Sequence, residues 1–94
     1  MEYLPTLELL RKTHDFPGPY TFKVIGKVEN GFIARAVVAV RLGLGCDIDP
    51  PYSLRVTEGG RHVSVTLTPL IFRPEQVLTV YRSLKGLAGL VVLF

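Results

Sequence analysis

Residues 52–67, YSLRVTEGGRHVSVTL, set two alternating apolar runs on either side of Gly59-Gly60. A glycine pair between such runs predicts a β-hairpin with a two-residue turn, because turns that tight need positive φ. Tyr52, Leu54 and Val56 are expected to face inward, with Ser53, Arg55 and Thr57 outward. The returning strand places Val63, Val65 and Leu67 on one face and Ser64, Thr66 and Thr68 on the other. Pro69 cannot donate to a ladder and is expected to end the pairing. A two-stranded hairpin is marginal alone, so this one needs neighbours.

The flanking segments supply them. FPGPYTFKVIG, residues 16–26, runs two prolines and a glycine into an alternating strand in which Tyr20, Phe22 and Val24 oppose Thr21, Lys23 and Ile25. Gly26 lacks a β-carbon and is expected to mark a bulge or a close backbone approach. Asn30 is a good N-cap for a helix whose apolar face is Phe32, Ile33, Ala36, Val37, Val40 and Leu44, and Gly43 and Gly45 are expected to end it. Pro74 and Glu75 suit the start of a second helix with Val77, Val80, Tyr81, Leu84 and Leu87 on one face. AGLVVLF, residues 88–94, reads as a final strand.

The order is strand, helix, strand, strand, helix, strand. Two right-handed crossovers then give an α+β sandwich: the ferredoxin-like βαββαβ fold, with a four-stranded antiparallel sheet in the order 4-1-3-2 and two helices on one face. In that order the strand after FPGP is central, which explains why its start is so tightly specified. Residues 1–94 are expected to form a single domain, with 1–18 as an N-terminal extension. Within the extension, residues 3–12 read as a short helical segment after Pro5, with Leu4, Leu7 and Leu10 on one face.

Three blocks then carry a family resemblance. FPGPYTFKVIG, GGRHVSVTLT and PEQVLTVYRSL, in this order and spacing, resemble the YbeD-like family of small bacterial proteins of unknown function. The closest pieces are Tyr20 to Gly26 and the pattern Glu75-Gln76-Val77, Thr79, Tyr81, Leu84, and the resemblance covers residues 9–94. It implies the same ferredoxin-like fold and a shape similar to ACT domains, which bind amino acids and regulate enzymes. It brings no catalytic residue. ACT-type sites form near the first loop and helix, so it directs attention to Gly26, Lys27 and Glu29, with the two charged side chains as partners for a zwitterion.

Composition narrows the chemistry. The chain has 11 basic and 8 acidic residues, a net charge of +3, and its basic residues are scattered rather than striped. Its outward sheet positions, Thr21, Lys23, Ile25, Ser64, Thr66 and Thr68, hold no aromatic on which a base would stack, so nucleic acid is not the expected partner. Cys46 is the lone cysteine and reads as an ordinary loop side chain. His14, His62 and Cys46 lack metal-ligand spacing, and Asp47 with Asp49 are too few oxygens for a calcium loop. Gly59-Gly60 lies between strands and is no phosphate loop. Ser53, Ser64 and Ser83 have no histidine and carboxylate arranged to activate them. No cofactor is expected.

No apolar run is long enough to span a bilayer and the N-terminus lacks a signal-peptide pattern, so a cytoplasmic setting without membrane contact is expected. The function expected from these features is a non-enzymatic regulatory or adaptor module that binds a protein partner, or itself, through its sheet and strand edges. Lys23, Arg55, Val91 and Leu93 are its candidate contacts. The alternative is an ACT-like sensor of a small amino acid or organic acid. In the 4-1-3-2 order the uncharged last strand is an edge that needs cover. Either Leu4, Leu7 and Leu10 fold over Val91 and Leu93, or the strand meets its twin in a homodimer. The dimer is preferred, because a short segment covers a face more easily than it satisfies a row of edge amides.

Overall fold

The computed structural model describes residues 4–94. It is an α+β structure built from a four-stranded sheet, a second sheet of two strands, and three helices. The first three residues of the expected extension, and with them the start of the 3–12 segment, lie outside the described residues.

Helix α1 (Leu7–Thr13) begins where Thr6 Oγ1 accepts the Leu9 amide at 3.1 Å, a side-chain cap on an otherwise unpaired donor. Strand β1 (Gly18–Pro19) pairs with β5 (Leu70–Ile71), and the adjoining Tyr20 amide donates to Pro69 O at 3.1 Å. The second half of the tightly specified FPGP stretch, Gly18–Pro19, is therefore a strand of its own, with a cis Phe16-Pro17 bond just before it. The expected single sheet is in fact two sheets. The β4 ladders end at Leu67, before Pro69 as expected, and the chain enters the second ladder at Leu70.

The larger sheet comprises β2 (Phe22–Lys27), β3 (Tyr52–Val56), β4 (His62–Leu67) and β6 (Leu90–Leu93), in the order β3-β4-β2-β6 and antiparallel throughout. β2 is central, and Phe22 and Val24 are fully buried. Helices α2 (Phe32–Leu44) and α3 (Pro74–Lys85) pack against each other and over β2, β4, β5 and β6. The core lies between helices and sheet: Phe32, Ala36, Val37 and Val40 from α2; Val77, Val80, Tyr81 and Leu84 from α3; Val63, Val65 and Leu67 from β4. Each is the apolar face that its spacing specifies.

Several local expectations are corrected. Asn30 does not cap α2; it takes φ 54°, and Gly31, at φ 68°, is the N-cap with no side-chain bond. Gly45, at φ 65°, ends α2 by donating to Arg41 and Leu42 O, whereas Gly43 lies inside the helix beside Val80 and Ser83 of α3. It serves helix packing, not termination. The hairpin turn is longer than two residues: Thr57 donates to His62 O at 2.9 Å, so the loop runs from Glu58 to Arg61, with both glycines at positive φ.

Among the described residues, the N-terminal segment does not lie over β6. α1 packs on α3, Leu10 enters the core, and Arg11 reaches Glu75 at 3.5 Å. Finally, Tyr52, Leu54 and Val56 are not inward. They share a face with Leu67, Val65 and Val63, but the helices do not extend over β3, and they stand 47%, 47% and 57% exposed.

Candidate interaction surface

The sheet turns one face to the helices and the other to solvent. On the open face β2 presents Lys23, Ile25 and Lys27, β4 presents Ser64 and Thr66, and β3 presents Ser53 and Arg55. Alternation along the strands puts them there. Phe94 follows β6, its amide bonded to Lys23 O at 2.8 Å, and the Lys23 ammonium lies 5.4 Å from its ring centroid. The open face thus has an aromatic at its margin that the outward-position pattern did not reveal, because Phe94 lies beyond the regular strand.

The candidate ligand residues do not converge. Gly26 is buried beneath the Phe32 ring. Lys27 projects on the open sheet face, its amide bonded to Gly89 O at 3.0 Å. Glu29 lies past the end of β2 and lines a recess of about 190 Å³ with Val28, Phe32 and Val63, to which Lys27 does not contribute. Neighbours in sequence have been sent to different sides of the sheet.

The candidate partner residues are spread along both margins. Arg55 is exposed on edge strand β3. Val91 is exposed on the opposite edge strand, β6, while Leu93 is half-buried opposite Val24 and packs onto the core. The β2–β6 register shifts between Ile25 and Gly26, so Val91 has no partner residue in β2. This is a bulge at the position where the Gly26 signal placed one.

A second surface has no counterpart in the sequence patterns. Leu44, Ile48, Pro51, Leu70 and Phe72 line an open apolar recess of about 370 Å³, with Ile48 81% and Phe72 58% exposed. Arg41 holds Asp49 at 3.0 Å on its rim. These residues come from two separate stretches of the chain, so no local pattern signals them. Cys46 also lines it, exposed and free.

The interior holds one polar pair of note. Tyr20 and Tyr81 hydroxyls meet at 3.3 Å within an aromatic cluster that includes Phe22. Burial, followed by the hydrogen bond to Tyr20, holds the Tyr81 hydroxyl protonated well above the usual tyrosine range. It is a neutral structural group. Ser53 and Ser64 lie on the open sheet face, and Ser83 lies in the helical layer beside Gly43, so the sheet separates them. Among the described residues no three metal-ligating side chains gather, and no helix is long and apolar enough to cross a membrane.

Comparison with known proteins places this geometry. Residues 11–93 match the family described as "Protein of unknown function (DUF493)". A UPF0250 protein of Shewanella sp. (strain ANA-3) is 27% identical over 75 residues, 80% of this chain and 83% of that protein. A UPF0250 protein of Shewanella amazonensis is 28% identical over 75 residues, with the same coverage. The family match spans both sheets, α2 and α3, and the last three residues of α1. The chain belongs to the DUF493 family of proteins of unknown function.

Proposed function

We propose that this protein is a non-enzymatic adaptor or regulatory module that engages a protein partner through the open edges of its larger sheet. The observation that carries this reading is β3. Tyr52, Leu54 and Val56 line up on one face of an edge strand, each about half exposed and uncovered by any helix. Contiguous apolar side chains beside an unpaired strand edge are the chemistry of strand addition, where backbone bonds give affinity and alternate side chains give specificity. On β6, Val91 and Val92 offer a second, shorter edge, the one that the sequence reading assigns to a homodimer. The ferredoxin-like, ACT-like shape and the cytoplasmic setting belong to the same proposal. Affinity capture from the source cell, with wild-type and Leu54→Lys/Val91→Lys chains as baits, tests it. A protein held by the wild type and lost by the folded double variant is expected. The same protein held equally by both baits overturns the reading.

The recess beside Glu29 favours a second reading, an ACT-like sensor. Its 190 Å³ suits a ligand no larger than a small amino acid or organic acid, below the usual span for drug-sized molecules. A thermal-shift screen with amino acids decides. Ligand at 100 times Kd adds about 2.7 kcal/mol of stability. No shift across the set removes the sensor reading.

A further inference from the structure

The outer margin of β3 carries hydrogen-bonding capacity that the sheet does not use. Thr57 donates to His62 O and Thr68 donates to Pro51 O, both at 2.9 Å. Between these, Ser53 pairs with Thr66 and Arg55 with Ser64. Bonded and non-bonded pairs alternate along an antiparallel ladder. Residues 51, 53, 55 and 57 therefore turn their backbone groups toward β4, and the N–H and C=O of Tyr52, Leu54 and Val56 point away from the sheet. These are the same residues whose side chains lie uncovered on the helix-bearing face.

We propose that β3 pairs antiparallel with β3 of a second copy of this chain, about a two-fold axis at Leu54. The inference rests on the edge-binding reading above and names both the edge and the partner. Self-complementarity carries it. An axis at Leu54 sets Leu54 against Leu54 and Tyr52 against Val56, so every outward N–H meets an outward C=O. On the helix-bearing face, aromatic and β-branched side chains then flank a leucine pair, which are favourable cross-strand combinations. On the other face Ser53 meets Arg55, so the one charge of the strand does not stand opposite its own copy.

Neighbouring registers fail on the same grounds. A slip of the pairing by one residue couples outward groups to groups already committed to β4. An axis at Ser53 keeps the phase but sets Val56 against Pro50, which has no N–H, and an axis at Arg55 sets that charge opposite its own copy. An axis at Tyr52 sets Leu54 against the same proline. An axis at Val56 runs into the Glu58–Arg61 loop. The β6 edge is the poorer template, since the bulge at Val91 interrupts its ladder and bulges turn an edge away from a flat partner.

Sedimentation equilibrium of the full chain from micromolar to submillimolar concentration, with amide exchange at both ends of that range, tests the assignment. The expected result is twice the monomer mass at the upper end. Amides of Tyr52, Leu54 and Val56 are then protected only there, and those of Ser53 and Arg55 throughout. Leu54→Lys sets two ammonium groups side by side at the axis and is expected to raise the dimer Kd by about tenfold or more, while Val91→Lys leaves it unchanged. The exchange measurement needs no variant, so the wild type decides the matter even where Leu54→Lys fails to fold. A wild type that stays monomeric overturns the inference and leaves edge binding to the capture experiment. A dimer whose residue 52, 54 and 56 amides exchange freely overturns it too. If Val91→Lys disperses that dimer, edge binding stands with β6 as the interface.

Discussion

The ring of Phe32 occupies the space where a side chain at Gly26 would begin. Phe32 is the first residue of α2 and Gly26 lies near the end of β2, so this packing seats the start of the helix directly on the central strand. The Arg35 guanidinium lies 5.7 Å from the same ring centroid, and its nitrogens bond Asn30 O at 2.9 Å and Ala88 O at 2.8 Å. The loop before α2 and the chain before β6 are tied together over that ring.

Gly26→Val is expected to destabilise the fold by about 3 kcal/mol or more, because the new side chain drives a fully packed phenylalanine from its place. Lys23→Ala on the same strand is expected to cost less than about 1 kcal/mol, the value of an exposed cation–π contact. Urea unfolding of the two variants compares them directly. Equal midpoints would remove this account of Gly26.

Gly43 and Gly45 answer to different physics. Gly45→Ala is expected to cost about 1 kcal/mol through its left-handed backbone alone, since no atom lies within 4 Å of the added carbon. At Gly43 the added carbon would meet Ser83 Oγ at 3.1 Å. The gain in helix propensity and the crowding against Ser83 are expected to balance there within about 1 kcal/mol. In a double-mutant cycle, Ser83→Ala should make Gly43→Ala more favourable and leave Gly45→Ala unchanged. Equal coupling at both glycines would refute the distinction.

The Tyr81 hydroxyl gives a pH prediction whose sign is fixed by burial. Its folded-state pKa is raised above the ordinary value of 10.0. Below that pH the hydroxyl is protonated in folded and unfolded chains alike, and stability does not depend on it. Above it the unfolded chain ionises first, so stability falls by about 1.4 kcal/mol per pH unit for this one group. Tyr81→Phe is expected to flatten that alkaline decline while costing about 1 kcal/mol near neutrality for the lost bond to Tyr20. Denaturant titrations from pH 8 upward, carried about two pH units past the ordinary tyrosine value, read both. An unchanged alkaline slope would show that Tyr81 is not the titrating group.

Cys46→Ser is expected to leave stability within about 0.5 kcal/mol, since the thiol is exposed and donates to Leu44 O across a long 3.8 Å. Thermal unfolding with and without reductant checks it. A loss of several degrees would mean the recess beside Ile48 depends on that side chain.

What the residues made legible follows from how local each cause is. The alternation of Phe22 and Val24 and the spacing of Val77, Val80, Tyr81 and Leu84 are answered by burial at those positions. Period alone settles which residues share a face. It does not settle how far the opposite layer reaches, and this is why Tyr52, Leu54 and Val56, inward by pattern, are half exposed. Gly18–Pro19 is too short to carry a period at all, and its partner Leu70–Ile71 lies far along the chain. The candidate site was less legible still. Lys27 and Glu29 are close in sequence, but strand alternation sends Lys27 to the open face and the turn carries Glu29 to the other side.

The central position of β2 has a kinetic meaning. Its neighbours come from late in the chain: Val65 pairs with Val24 on one side, and Val92 pairs with Ile25 on the other. Such distant pairings demand large loop closures, which slow folding relative to local contacts. A nascent chain that has emerged only as far as Gly89 therefore holds β2 with one bare side, and β6 completes the sheet last. Pulse-labelled exchange during refolding should find the amides that join β2 to β6 among the slowest to gain protection, later than those of α3. The last strand is then a clock for the whole domain: until it docks, the strand at the middle of the sheet is itself an edge.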